Sequence, residues 1–233
     1  MKARPAIATV KPGGWRAAPL SFTDWGYVEV LKWTGLAAML VEHAALAFGA
    51  EPHGWAFQVG RLAFPLFLYS FALAMAGASR KKALRAASRL LPFAVAAQLV
   101  VGLVRAEPLL NVLFLFVCLL AWLAADDLPK WQRYLVKALC LLVMNFTEFH
   151  FAGLAMGIGL VRTFERESLV WPALAGSAFA LNCFVDQTPA AVAAVSAGLL
   201  IAACGIRAPR VRFLLPGLYV AQWPVLAVLQ RVL

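Results

Sequence analysis

Charge is scarce in this sequence. Only 14% of its 233 residues are Asp, Glu, Lys or Arg, 63% are hydrophobic, and the mean hydropathy is +0.80. Soluble domains carry about 25% charged and roughly 45–50% apolar residues. One soluble fold cannot hide this much apolar area, which excludes a soluble enzyme and a disordered chain. Cysteine is scarce too: Cys118, Cys140, Cys183 and Cys204 each lie inside an apolar run, and no two share a C-x-x-C spacing. That excludes a disulfide scaffold and gives a metal centre no support; buried free thiols are the expectation. The motifs of soluble catalysis, G-x-S-x-G, H-E-x-x-H and the Walker loop, are missing. The first 24 residues are basic, with Pro and Gly, and lack the 7–15-residue apolar core of a signal peptide. They read as a cytoplasmic tail.

What is present is a succession of apolar runs. They cover Tyr27 to Phe48, Trp55 to Gly77, Leu90 to Val104, Leu109 to Ala125, Tyr134 to Phe146, Phe149 to Val161, Leu169 to Val185, Pro189 to Ile206 and Phe213 to Val232. At about 20 residues per crossing, nine spans consume roughly 180 residues and leave only tails and short loops. The fold class is therefore all-α: a polytopic membrane helix bundle, one domain over residues 25–233. The fifth and sixth runs are short enough to be tilted or re-entrant, so eight spans are the alternative. Gly153-x-x-x-Gly157 in the sixth run predicts close helix packing.

The net charge of +10 would suggest nucleic acid in a soluble domain. Here it reads as orientation, because Lys and Arg concentrate on cytoplasmic segments. With the N-terminus inside, 17 of the 21 cations fall on that side: four in the tail, then Arg80, Lys81, Lys82, Arg85 and Arg89, then Lys130, Arg133 and Lys137, then Arg162 and Arg166, and finally Arg207, Arg210 and Arg212. Arg105 and Arg231 fall outside. Nine spans would leave the C-terminus outside as well. His43, His53 and His150 all come out near the outer face.

Lys32 and Arg61 resist this sorting and lie within spans, as do Glu42 and His43. A charge at the centre of a membrane helix costs at least roughly 2.5–3.5 kcal/mol, so it faces a cavity or a partner. Lys32 and His43 are eleven residues apart, about 16 Å along the axis and three turns plus roughly 20°. They share one face, with Glu29 placed to pair with Lys32. Arg61 enters the second span at about the depth of His43, and Pro65 removes the amide that would bond the Arg61 carbonyl, which predicts a kink. Glu42, His43 and Arg61 can thus form a buried polar cluster. A structural Glu42–Arg61 bridge is the plainer reading of that pair, and it is compatible with catalysis. The chemistry fits acyl transfer: His43 as general base or acyl carrier, Glu42 or Glu51 orienting the imidazole, and Arg61 holding negative charge on the carbonyl oxygen. The basic run from Arg80 to Arg89 fits anionic headgroups, or a dock for a phosphorylated donor such as coenzyme A.

The sequence resembles the TraX-type conjugative pilin acetylases from about Tyr27 onward. The resemblance is carried by Leu31-Lys32 through Val41-Glu42-His43-Ala44 and by Gly60-Arg61-Leu-Ala-Phe64-Pro65-Leu66-Phe67. It continues in Asn111-Val-Leu-Phe114, Phe151-Ala-Gly153-Leu and Pro216-Gly-Leu-Tyr219. The Lys32-x₁₀-His43 spacing is also similar to the Arg/Lys-x₁₀-His signature of larger transmembrane acyltransferases acting on surface glycans. The resemblance implies transfer of acetyl from cytoplasmic acetyl-CoA to an acceptor outside the bacterial inner membrane, in the type member the N-terminal amine of pilin. It implies His43 as catalytic histidine, with Glu42 where the type member has Asp, and Arg61 as its partner. Lys32, with Arg80, Lys81, Lys82 and Arg85, would serve the acyl-CoA. No metal and no nucleic acid are implied. The type member has a His three residues after the tyrosine of its last span, where this chain has Gln222. O-acetylation of a surface glycan or lipid, and a non-catalytic transporter or pilus-assembly subunit, remain the alternatives.

Overall fold

The computed structural model describes residues 25–49, 54–104, 109–147, 149–165, 170–185 and 214–232. Among the described residues the chain is all helical apart from one isolated bridge, Leu110 to Thr147. The elements are α1 (Trp25–Ala47), α2 (Trp55–Gly60), α3 (Ala63–Met75), α4 (Arg80–Val104), α5 (Val112–Ala125), α6 (Lys130–Met144), α7 (His150–Glu165), α8 (Val170–Val185) and α9 (Leu214–Val232). With α2 and α3 taken as one broken rod, these make eight rods. The expected eighth span, Pro189 to Ile206, lies outside the described residues.

Among the described residues, three segments are long and apolar enough to cross a membrane: Val28–Ala47, Trp55–Met75 and Arg80–Gly102. The 15 residues of α6 and 16 of α7 reach about 22 and 24 Å, short of a hydrocarbon core about 30 Å thick. This agrees with the shortness expected of the fifth and sixth runs.

One boundary differs. The third span was expected to begin at Leu90, yet α4 begins at Arg80 and takes in the whole basic run. The reason is periodicity. Ala83, Ala86, Ala87, Leu90, Ala94, Ala97 and Val101 recur at helical spacing and pack inward, while Arg80, Lys81, Lys82, Arg85 and Arg89 are exposed. The Ser79 hydroxyl accepts the Lys82 amide at 3.3 Å and starts the helix, and Lys82 Nζ donates back to the Ala74 carbonyl at 2.6 Å.

Three apolar clusters hold the described bundle, the smallest joining α3, α4, α5 and α7 around Ala72, Met75, Ala83, Leu120 and Val161. Of the other two, one joins α3, α5, α6, α7 and α8 around Leu68, Leu115, Leu119, Met144 and Leu154. The other joins α1, α3, α4, α5 and α9 around Leu36, Met39, Ala63, Ala94, Ala97, Leu113 and Tyr219. The expected glycine packing is present: a Cβ on Gly153 or Gly157 would meet Leu115 or Leu119 of α5 at 2.5–2.6 Å.

Polar contacts gather at the two ends. At one end Asn111 caps α5 through its own side chain, accepting Leu113 N at 3.0 Å, and donates to the Ala94 carbonyl of α4 at 2.9 Å. Leu110 N donates to Phe146 O nearby at 2.6 Å. At the other end Asp126 of the α5 terminus accepts Lys137 of α6 at 2.7 Å and also Arg162 of α7. Arg162 pairs with Glu165, whose second oxygen accepts Gly77 N of the α3–α4 turn at 3.0 Å. Gly77 has φ +64 there, a left-handed conformation that suits glycine.

Candidate active site

The site is built where α1 meets the break between α2 and α3. The rod cannot run straight through this point. Pro65 has no amide to give the Arg61 carbonyl, and the chain closes tighter turns at Arg61 and Leu62, with Leu62 N donating to Val59 O at 3.0 Å. The expected kink is therefore a short interruption between α2 and α3. It aims the Arg61 side chain back at α1.

Arg61 Nη2 donates to Glu42 Oε1 at 3.1 Å, so the Glu42–Arg61 bridge is formed. Both side chains are largely covered, 15% and 9% exposed. The approach depends on Gly60. An added Cβ there would fall 1.9 Å from Glu42 Oε2 and 2.3 Å from Glu42 Cβ, so only a hydrogen fits between α1 and α2. The guanidinium carbon lies 4.2 Å from the centre of the Phe57 ring and 5.9 Å from that of Phe149. Phe149 in turn stacks on Phe64 at 3.7 Å and 7°. Aromatic faces carry partial negative charge and favour a desolvated cation.

His43 follows Glu42 directly, so its side chain departs about 100° further round α1. That turns it toward α9. Its ring centre lies 4.4 Å from the Trp223 ring at an interplanar angle of 36°, and 6.5 Å from the Tyr219 ring at 60°. The three residues expected to cluster are therefore placed on two walls: Glu42 against Arg61 of the α2–α3 break, and His43 against α9. Glu51, the other candidate to orient the imidazole, lies outside the described residues, as does His53. His150 opens α7 with φ 43 and is exposed.

Lys32 Nζ pairs with Glu29 Oε1 at 2.8 Å, as its spacing predicts. Glu29 is 1% exposed and Lys32 25%, so this is a second, half-buried ion pair on α1. Arg80, Lys81 and Arg85 stand exposed on the first turns of α4, beside the end of α3 far from Arg61. The 13 residues of α3 separate the two places by about 20 Å.

Gln222 is 6% exposed; its Nε2 donates to the Tyr219 carbonyl at 3.1 Å and its Oε1 is buried without a hydrogen-bond partner among the described residues. Sequence reasoning singled out Tyr219 and Gln222 but missed Trp223. The available signal was the spacing of Tyr219, Gln222, Trp223 and Leu226, the four buried positions of one α9 face. The charge network of Asp126, Lys137, Arg162 and Glu165 was missed as well, although the sidedness count puts Lys137 and Arg162 on one side.

No curated protein and no solved structure matches the chain. The family model described as TraX protein matches residues 27–230, a stretch that holds α1 to α9 in nearly their full length and every candidate residue above. By that match, the chain belongs to the TraX family.

Proposed function

We propose that this chain is an integral-membrane acetyltransferase that moves acetyl from cytoplasmic acetyl-CoA to an acceptor on the outer side of the bacterial inner membrane. The acceptor suggested by the family is the N-terminal amine of a pilin. The observation that carries the reading is the adjacency on α1 of Glu42, paired with Arg61 of the α2–α3 break, and an imidazole walled by α9. Charges of that kind inside a bundle mark function more often than architecture.

In this reading the N-terminus is cytoplasmic. Lys32, Arg80, Lys81, Lys82 and Arg85 attract the phosphates of the donor from that side. His43 takes the proton from the attacking amine, and the amine nitrogen bonds to the thioester carbonyl carbon. Negative charge develops on the carbonyl oxygen, where the Arg61 guanidinium holds it, itself kept in place by Glu42. The carbon–sulfur bond then breaks, and the thiolate of CoA recovers the proton from the imidazolium. Donor and acceptor approach from opposite ends of the bundle, which keeps water-exposed CoA and the envelope acceptor apart.

Purified protein should transfer labelled acetyl from acetyl-CoA to a pilin N-terminal peptide, and His43→Ala should lose at least about 10²-fold of that rate while keeping its melting temperature. Transfer by His43→Ala at the parental rate would sink the role of the base. Acetyl found on a glycan or lipid instead would move the acceptor. Absence of transfer from acetyl-CoA to any of the three would favour a transporter or assembly subunit.

A further inference from the structure

We propose that Trp223 is the positioning residue for His43, so that the first and last helices of the bundle build the base together. The proposal rests on the acetyl-transfer reading for its kinetic consequences, though not for its geometry.

A histidine on a membrane helix does not hold its own direction. Its outer torsion joins an sp³ to an sp² carbon and is broad and roughly two-fold, so the ring swings unless something packs against it. A general base needs its nitrogen within about 2.6–3.2 Å of the proton it removes. A misplacement of about 1 Å can cost on the order of 10²-fold in rate. His43 itself is only partly covered, so α1 alone does not supply the constraint.

The α9 face does. The indole of Trp223 lies against one face of the imidazole, with 4.4 Å between centres and 36° between planes. Trp223 is 5% exposed and Tyr219 7%, so neither ring has room to swing away. Tyr219 meets the imidazole edge-on from one turn earlier. One face of the imidazole is therefore closed by α9. In this arrangement Trp223 touches His43 and acts through it. The two residues are 180 positions apart in the chain, so only the closed bundle brings them together.

The test compares Trp223→Met, which keeps bulk and apolarity but has no ring, with Trp223→Phe, which keeps a ring wall, in the full chain in lipid nanodiscs. For Trp223→Met, kcat should fall by about 10- to 100-fold while KM for acetyl-CoA stays within about twofold, and Trp223→Phe should recover most of the lost rate. An unchanged kcat per folded molecule in Trp223→Met, or a loss that appears entirely in KM, would overturn the proposal. The second readout does not need turnover. In a chain with His53 and His150 replaced, the Cε1–H resonance of His43 should be displaced by the indole ring current. It should stay displaced in Trp223→Phe and move toward the free-histidine position in Trp223→Met. A His43 resonance that ignores both substitutions refutes the contact. A displaced resonance in a protein that transfers no acetyl refutes the enzymatic reading and leaves the contact standing.

Discussion

Replacing Gly60 with alanine puts a methyl group where Glu42 now lies. The new carbon would sit 1.9 Å from Glu42 Oε2, 2.5 Å from Cδ and 2.3 Å from Cβ. The carboxylate tip can rotate away, but Cβ is fixed to the α1 backbone. Ordinary carbon contacts need about 3.5–4.0 Å, so α1 and α2 must part by more than about 1 Å. The Glu42–Arg61 bond, 3.1 Å long, does not survive that shift. Overpacking alone costs about 1–3 kcal/mol, and separating a buried pair costs about 3–5 kcal/mol because each charge is left behind uncompensated. The two costs overlap, and Arg61 keeps some access to water, so a net loss of about 3 kcal/mol is expected. At about 2–4 °C per kcal/mol for a chain of this length, the melting temperature should drop by roughly 6–12 °C.

A thermal melt in detergent or nanodiscs reads this directly. Gly102→Ala is the control, because an added Cβ there meets nothing within 4 Å; it should match or slightly exceed the parent, as alanine is the better helix former. In a Glu42→Ala background the bridge is already gone, and Gly60→Ala should then cost only its overpacking share, about 1–2 kcal/mol. If Gly60→Ala melts within about 1 °C of the parent, well inside the shift expected for a broken pair, the close approach of α1 and α2 is not what holds Glu42 against Arg61.

Two further outcomes follow from the packing. Gly159→Ala should destabilise more than Gly157→Ala, since its Cβ would meet the Ala175 amide at 2.9 Å and the Trp171 carbonyl at 3.0 Å, backbone that cannot rotate away, whereas Gly157 faces Leu119 side-chain carbons; the reverse order of melting temperatures would refute this. Asp126→Asn should cost about 1–2 kcal/mol, because its carboxylate serves both Lys137 and Arg162 across three helices and all three side chains are 18–28% exposed. That difference should shrink in high salt, and a salt-independent loss would show that packing, not charge, was removed.

Most of the rods were legible because apolar runs and helical rise set their length and place. The interruption at Arg61 was legible from a single proline. The start of α4 was not, because a window dominated by five cations reads as a loop until the alanines between them are placed on one face. The Asp126 network escaped for a different reason. Counting cations by side treats each as an independent topological signal, and whether Arg162 faces Asp126 depends on how α5, α6 and α7 pack. His43 shows the same limit at the site. Its spacing from Lys32 fixes the face of α1 it occupies, but not the neighbour on that face. That neighbour is α9, drawn from the opposite end of the chain.

These placements change what the buried charges mean. Two of the ion pairs among the described residues, Glu29–Lys32 and Glu42–Arg61, involve α1. Replacing such a pair with apolar residues of similar volume is often neutral or stabilising. Folding alone therefore gives little reason to keep two of them on one helix. Glu42–Arg61 is the more telling, because its partners come from different elements and require a glycine at the crossing. Arg61 is thereby held by one carboxylate and two aromatic rings, with its direction set before any substrate arrives. In the proposed reaction, a cation that stabilises negative charge on the carbonyl oxygen works best when it need not reorganise. The imidazole next to Glu42 in the chain is confined by other means, an indole wall. Two adjacent directions on α1 are thus fixed by two separate neighbours, the α2–α3 break for Glu42 and α9 for His43. In the proposed reaction these two fixed directions would serve the carbonyl oxygen and the attacking amine respectively.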